Sequence, residues 1–100
     1  MKRIPKNFKL FSTTINVLWD NNSLNRRGAY GTHDYSSCEI LLSKTDGVVK
    51  LSKDRIMDTF YHEKVHSILE AMNKQSLSED EEFVDVFAKL LRQSDETSEY

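Results

Sequence analysis

The residues with the most definite chemistry in this chain stand together: His62-Glu63-Lys64-Val65-His66, an H-E-x-x-H sequence that takes two of the three histidines. On a helix, residues four apart share one face, so both imidazoles can reach a single ion. Glu63 is displaced sideways from that pair, and in this motif the glutamate acts on metal-bound water as a general base. Chance alone produces the pattern in roughly one 100-residue chain in several hundred. Two histidines on a solvated helix face would mean little by themselves. The intervening glutamate and the helical setting turn the reading toward a metal.

A catalytic zinc takes three protein ligands and keeps one position open for water. The third histidine, His33, is far away in sequence, so the acidic residues further on are the obvious source: Glu79, Asp80, Glu81, Glu82 and Asp85. Glu81 lies three residues before Val84 and seven before Ala88, which extends an apolar, inward-facing stripe. Glu82 aligns with Val86 and Lys89, a more exposed direction. At ~1.5 Å per residue, an ideal antiparallel helical hairpin sets Asp85 nearer than Glu81 to the level of His66. Spacing alone leaves both Glu81 and Asp85 open. Glu81 also has a competing structural role, closing a capping box on Ser78, for which Ser76 with Glu79 is the alternative cap.

Two kinds of element must position these groups. From Phe8 to Trp19 the residues are β-branched and aromatic. Ile15, Val17 and Trp19 alternate with their neighbours, the period of a strand with one buried face. Asp20 to Ser23 reads as a turn and residues 24–27 as a polar loop carrying a solvated Arg26-Arg27 pair. Gly28–Gly31 is a short strand, followed by a turn through His33-Asp34. Cys38–Leu42 is another strand, closed by the turn chemistry of Thr45-Asp46-Gly47. Cys38 reads as a small buried hydrophobe and Trp19 as core. The period then changes. Ser52 is a plausible N-cap with Asp54 in the first turn. Ile56, Phe60, Val65, Ile68, Leu69 and Met72 follow at helical spacing, to an end near Asn73. Phe83, Val84, Phe87, Ala88, Leu90 and Leu91 form the apolar face of a second helix, and residues 94–100 read as a frayed tail. Strands first and helices last make an α+β domain with a small antiparallel or mixed sheet of about three strands.

The segment Thr59–Gln93 resembles the core of small glutamate-type zincin metallopeptidases, the minimal type found in phages and mobile elements and akin to the ImmA/IrrE peptidases. Those families follow H-E-x-x-H with a second helix carrying E-x-x-x-[DN] ahead of a Phe-Ala pair. This chain has Glu81-Glu-Phe-Val-Asp85 and then Phe87-Ala88, with Arg92-Gln93 where the family has a proline. The resemblance implies zinc held by His62, His66 and Glu81, Glu63 as the catalytic base, and Asp85 as an outer carboxylate orienting a ligand histidine. It also implies a sheet edge beside the active helix that adds an extended peptide substrate, for which Cys38–Ser43 is the candidate. Tyr30, His33, Tyr35 and Tyr61 are the polar groups available near such a site, with no local signal that brings any of them to the metal.

Composition bounds the alternatives. One hundred residues, 38% hydrophobic and 30% charged, make a single domain with one lean core. No apolar run approaches the ~20 residues of a membrane span. The opening MKRIPKNFKL lacks the apolar stretch of a secretory signal. A single cysteine excludes a disulfide framework and a cysteine-based zinc finger. These features point to a reduced, cytoplasmic domain acting on a protein or peptide. A net charge of −2 argues against a nucleic-acid module, whose only support is a loose basic arm at Lys2, Arg3 and Lys6. The competing function is a non-catalytic metal-bearing or regulatory module of a phage or mobile element. Small size and the lack of an identifiable oxyanion group speak for it.

Overall fold

The computed structural model describes residues 3–100. Among them the chain forms β1 (Asn7–Leu10), β2 (Thr13–Trp19), α1 (Asn21–Arg26), β3 (Gly31–Asp34), β4 (Glu39–Leu42), α2 (Lys53–Ala71), α3 (Gln75–Ser78) and α4 (Glu81–Thr97). This is an α+β fold with a four-stranded mixed sheet, order β1-β2-β4-β3, where about three strands were expected. The additional strand comes from the segment read as one strand from Phe8 to Trp19. Phe11 takes a left-handed φ of 54°, and the chain reverses there, so that β1 pairs antiparallel with β2, Phe8 opposite Ile15. Of the expected basic arm, Lys2 lies outside the described residues. Lys6 is tied to the sheet, its carbonyl accepting from the Val17 amide at 2.9 Å.

β2 and β4 run parallel, while β3 and β4 run antiparallel, which makes β4 an interior strand and β3 an edge. The substrate edge therefore cannot be Cys38–Ser43. Cys38 itself precedes β4 in a left-handed turn position (φ 59°) and is half-buried against the core. The Asp20–Ser23 turn is instead a helix start: the Asp20 carboxylate accepts from the Ser23 amide at 3.1 Å, and residues read as polar loop become α1, anchored by the fully buried Leu24. The strand read at Gly28–Gly31 lies three residues later, so His33 and Asp34 belong to β3 rather than to a turn. Asp34 ends that strand by accepting from the Ser36 and Ser37 hydroxyls and the Ser37 amide, bonds that hold its carboxyl at about 2.

α2 begins as expected, with Ser52 Oγ accepting from the Arg55 amide at 3.1 Å. It ends at Ala71, just before Asn73, whose φ of 59° and the bonds Lys74 N–H to Leu69 C=O and Asn73 N–H to Glu70 C=O form a Schellman motif. α4 is capped by neither serine: Asp80 Oδ1 accepts from the Phe83 amide. α4 continues through Thr97, so most of the expected tail is helical. α2 lies between the sheet and α4. Ile15, Val17, Ile40 and Leu42 meet Phe60, Val65 and Leu69 on one side, and Val84 and Ala88 come in from α4. Burial from two sides explains why the apolar positions of α2 spread beyond one stripe. Trp19 is not core: it is 42% exposed, with Lys44 Nζ 4.7 Å from its ring. Phe87 and Leu90 of the expected apolar face of α4 also remain exposed.

The register of α4 on α2 is set in the first half of α2, ahead of the histidines. Arg92 donates to Asp54 C=O and Oδ1 and to Asp58 Oδ1 on α2, and to Glu96 one turn on. Burial opposes the charge of this guanidinium, but the three carboxylates outweigh it and raise its pKa. Tyr61 Oη donates to Asp95 at 2.8 Å; burial and this bond push the phenol up to about 12.

Candidate metal centre

The centre lies where α2, the start of α4, α3 and the edge strand β3 meet. His62 and His66 project from one face of α2, their Nε2 atoms 3.3 Å apart and their rings inclined at 68°. The Asp80 cap puts Glu81 in the first turn of α4, and its carboxylate straddles the pair: Oε1 is 3.0 Å from His66 Nε2, and Oε2 is 3.1 Å from His62 Nε2. Asp85, one turn further, lies 4.0 Å from His62 Nδ1 and bonds Lys89 at 3.0 Å. Glu82 is exposed and absent from these contacts among the described residues. Arg92 and Tyr61 fix the helix register, and α3 takes up the connection, which brings Glu81 rather than Asp85 over the two Nε2 atoms.

Proton counting shows what this geometry can hold. The Ser78 hydroxyl has one hydrogen. In the Nδ1-protonated tautomer of His66, the imidazole donates to Ser78 Oγ across their 2.9 Å contact, and the hydroxyl passes its hydrogen on to Glu70 Oε2 at 3.4 Å. In that tautomer His66 Nε2 is bare, facing a carboxylate oxygen and a second imidazole nitrogen. Burial, followed by the neighbouring charge of His33, lowers the His66 pKa and keeps the ring neutral, as a ligand must be. Two Nε2 atoms and a carboxylate gathered on one point are held together by a shared proton or by a cation between them. Tetrahedral ligands at 2.0–2.2 Å from an ion stand roughly 3.3–3.6 Å apart, slightly wider than the 3.0–3.3 Å separations here. His62, His66 and Glu81 thus form a group that could hold a metal ion, and His33, Glu63 and His66 form a second one.

No family model, characterised protein or solved structure matches this chain. The reading of the centre therefore rests on its residues.

Glu63 is buried and turned toward β3, where its Oε1 accepts from His33 Nδ1 at 2.7 Å. His33 Nε2 in turn donates to Glu70 Oε2 at 2.8 Å. Both ring nitrogens face carboxylates. Burial opposes the charged ring, but the bonds and charges of Glu63 and Glu70 together outweigh it, and the His33 pKa is raised. The ring stacks on His66, centroids 4.3 Å apart and 11° from parallel. His33 arrives here because it stands opposite the buried Ile40 on β4, which turns it to the α2 face. Gly31, two residues earlier on the same face, makes the approach possible: a Cβ there would lie 2.5 Å from Thr59 Cγ2.

Of the four polar groups named from sequence, His33 is therefore the one that reaches the centre. Tyr30 lines the adjoining cleft beneath the Arg55 guanidinium, Tyr35 packs on the core, and Tyr61 turns away to Asp95. That cleft, about 510 Å³, is bordered by Gly31, Thr59, His62, Glu63, Asp85 and Lys89. Glu70 and Ser78 have no place in the site read from sequence, and His33 figures there only as an available polar group. Glu70 alone carried a signal, since it stands four residues after His66 and seven after Glu63 on one helix face.

Proposed function

We propose that this protein is a zinc-dependent metallopeptidase in which His62, His66 and Glu81 hold the ion and Glu63 is the general base. The observation that carries the reading is the convergence of two imidazole Nε2 atoms and one carboxylate at 3.0–3.3 Å, with Glu63 and His62 both lining the adjoining cleft. Two neutral nitrogens and one carboxylate are the donor set that zinc takes in hydrolytic sites. Bound there, zinc would acidify a water and polarise a carbonyl. The role of Glu63 is to accept a proton and return it to the leaving amine. Burial beside His33 holds its carboxylate in one orientation. β3, an edge strand bordering the cleft at Gly31, offers unpaired main-chain groups along which an extended peptide adds. Among the described residues no helix is long and apolar enough to cross a membrane.

The purified protein is expected to carry one zinc per chain by elemental analysis and to lose it in His62→Ala. Incubated with a defined peptide library and read by mass spectrometry, it is expected to generate new termini, and Glu63→Gln is expected to retain zinc while losing that cleavage. A folded wild-type chain that binds no zinc overturns the metal centre. Cleavage that persists in Glu63→Gln overturns the assignment of the base.

A further inference from the structure

Behind the three candidate ligands runs a continuous chain of hydrogen-bonding contacts. His66 Nδ1 lies 2.9 Å from Ser78 Oγ, and the Ser78 hydroxyl lies 3.4 Å from Glu70 Oε2 as a donor. The same Glu70 oxygen accepts from His33 Nε2–H (2.8 Å), and His33 Nδ1–H donates to Glu63 Oε1 (2.7 Å). The chain starts at a candidate zinc ligand and ends at the candidate base. It draws on α2, α3 and β3, and Glu70 is its one midpoint. Among the described residues no buried side-chain polar atom lacks a partner, so the chain is fully satisfied.

We propose that Glu70 is a positioning residue serving both halves of the centre: through Ser78 it holds His66 with Nε2 bare toward the ion, and through His33 it holds the Glu63 carboxylate. The inference rests on the reading of His62, His66 and Glu81 as a metal centre with Glu63 beside it. Its physical basis is the one-way character of the carboxylate. Glu70 can only accept, so a Ser78 hydroxyl that gives it its hydrogen is left with oxygen lone pairs alone to accept from His66. A ligand histidine whose far nitrogen is committed in this way has its tautomer and ring orientation set before the metal arrives. On the other arm, the His33 ring is fixed at both nitrogens and clamped flat against His66, so Glu63 has a rigid donor rather than a mobile one.

The test is nitrogen NMR of the full chain labelled with ¹⁵N-histidine, metal-free and at neutral pH, combined with zinc binding measured by chelator competition. In the wild type, His66 is expected as the Nδ1-protonated tautomer, and both His33 N–H groups are expected to be protected from exchange. Glu70→Ala is expected to mix the His66 tautomers, expose the His33 Nε2–H and weaken zinc binding by roughly 10–100-fold. Ser78→Ala, which removes only a hydroxyl, is expected to reproduce the His66 and zinc effects while leaving His33 protected, and decides the matter should Glu70→Ala not fold. Glu63→Ala is expected to expose only the His33 Nδ1–H. An Nε2-protonated His66 in the wild type, or an unchanged tautomer and zinc affinity in both Glu70→Ala and Ser78→Ala, overturns the proposal. Since the tautomers are read without metal, a protein that cleaves no peptide refutes the peptidase reading and leaves these outcomes in force.

Discussion

Gly31→Ala probes the contact that lets His33 enter the centre. The added Cβ would stand 2.5 Å from Thr59 Cγ2, against an ordinary carbon–carbon separation of roughly 3.5–4.0 Å, so about 1 Å must be made up. Thr59 cannot simply rotate away, because its hydroxyl donates to the Arg55 carbonyl at 2.9 Å. The strand must move instead, and Leu41 O and Leu42 Cδ2, each 3.3 Å from the same Cβ, resist that as well. Overpacking of this kind costs roughly 1–3 kcal/mol. His33 rides on the same strand two residues on, so a displacement of ~1 Å takes its 2.7 Å bond to Glu63 past the ~3.2 Å limit of a good hydrogen bond. Thr59→Ser deletes the offending methyl and keeps the hydroxyl, at a cost of about 0.5–1 kcal/mol alone. The double variant is expected to recover most of the Gly31→Ala loss, a favourable coupling of roughly 1–2 kcal/mol. Urea denaturation of the four proteins measures the cycle, and peptide cleavage by the same four tracks the His33–Glu63 bond. The reasoning is refuted if Gly31→Ala lies within about 0.5 kcal/mol of the parent, or if Thr59→Ser gives no relief.

Further outcomes follow from the same contacts. Glu81→Ala is expected to weaken zinc binding by more than the roughly 10–100-fold of an outer-shell change, and Asp85→Ala by less, with chelator competition as the measure and the reverse order as refutation. Arg92→Leu removes the bonds that register α4 on α2; a loss of roughly 1–2 kcal/mol in urea is expected, with weaker zinc binding because Glu81 drifts from the histidines. In the metal-free protein, the stability contributed by charged His33 is fully present below its unfolded pKa of about 6.5 and is lost as pH rises through the raised folded value. A series of denaturation midpoints across that window should therefore fall in the wild type relative to His33→Phe, and parallel curves would refute the pairing with Glu63 and Glu70.

What could be read directly was whatever depends on neighbours in the chain. The H-E-x-x-H face needs only the helical repeat, and Ser52 with Asp54 marks where that helix begins. Asp20, dense with turn residues around it, also announced a local event, though whether it would open a loop or a helix turned on Leu24 finding the core. The four-strand count escaped because a left-handed Phe11 is invisible to a pattern of alternating hydrophobics. The edge strand was misplaced for a different reason. Strand order is decided by which strands pair, and nothing within Cys38–Ser43 says that β3 will cover its outer side.

The site divides along the same line. Spacing placed two histidines on one face of a helix with a glutamate beside them, and narrowed the candidate third ligand to Glu81 or Asp85. A choice between those two depends on how far one helix slides along another, and here that is set by Arg92 and Tyr61, more than a turn from either candidate. His33 and Ser78 joined the centre through packing alone, 29 and 16 residues from His62 in the chain. The sequence by itself determined the candidate ligand chemistry, because helical periodicity is local. The tertiary structure decided register, edge and the hydrogen-bond chain behind the ligands, because each of these is a relation between elements that no single segment encodes.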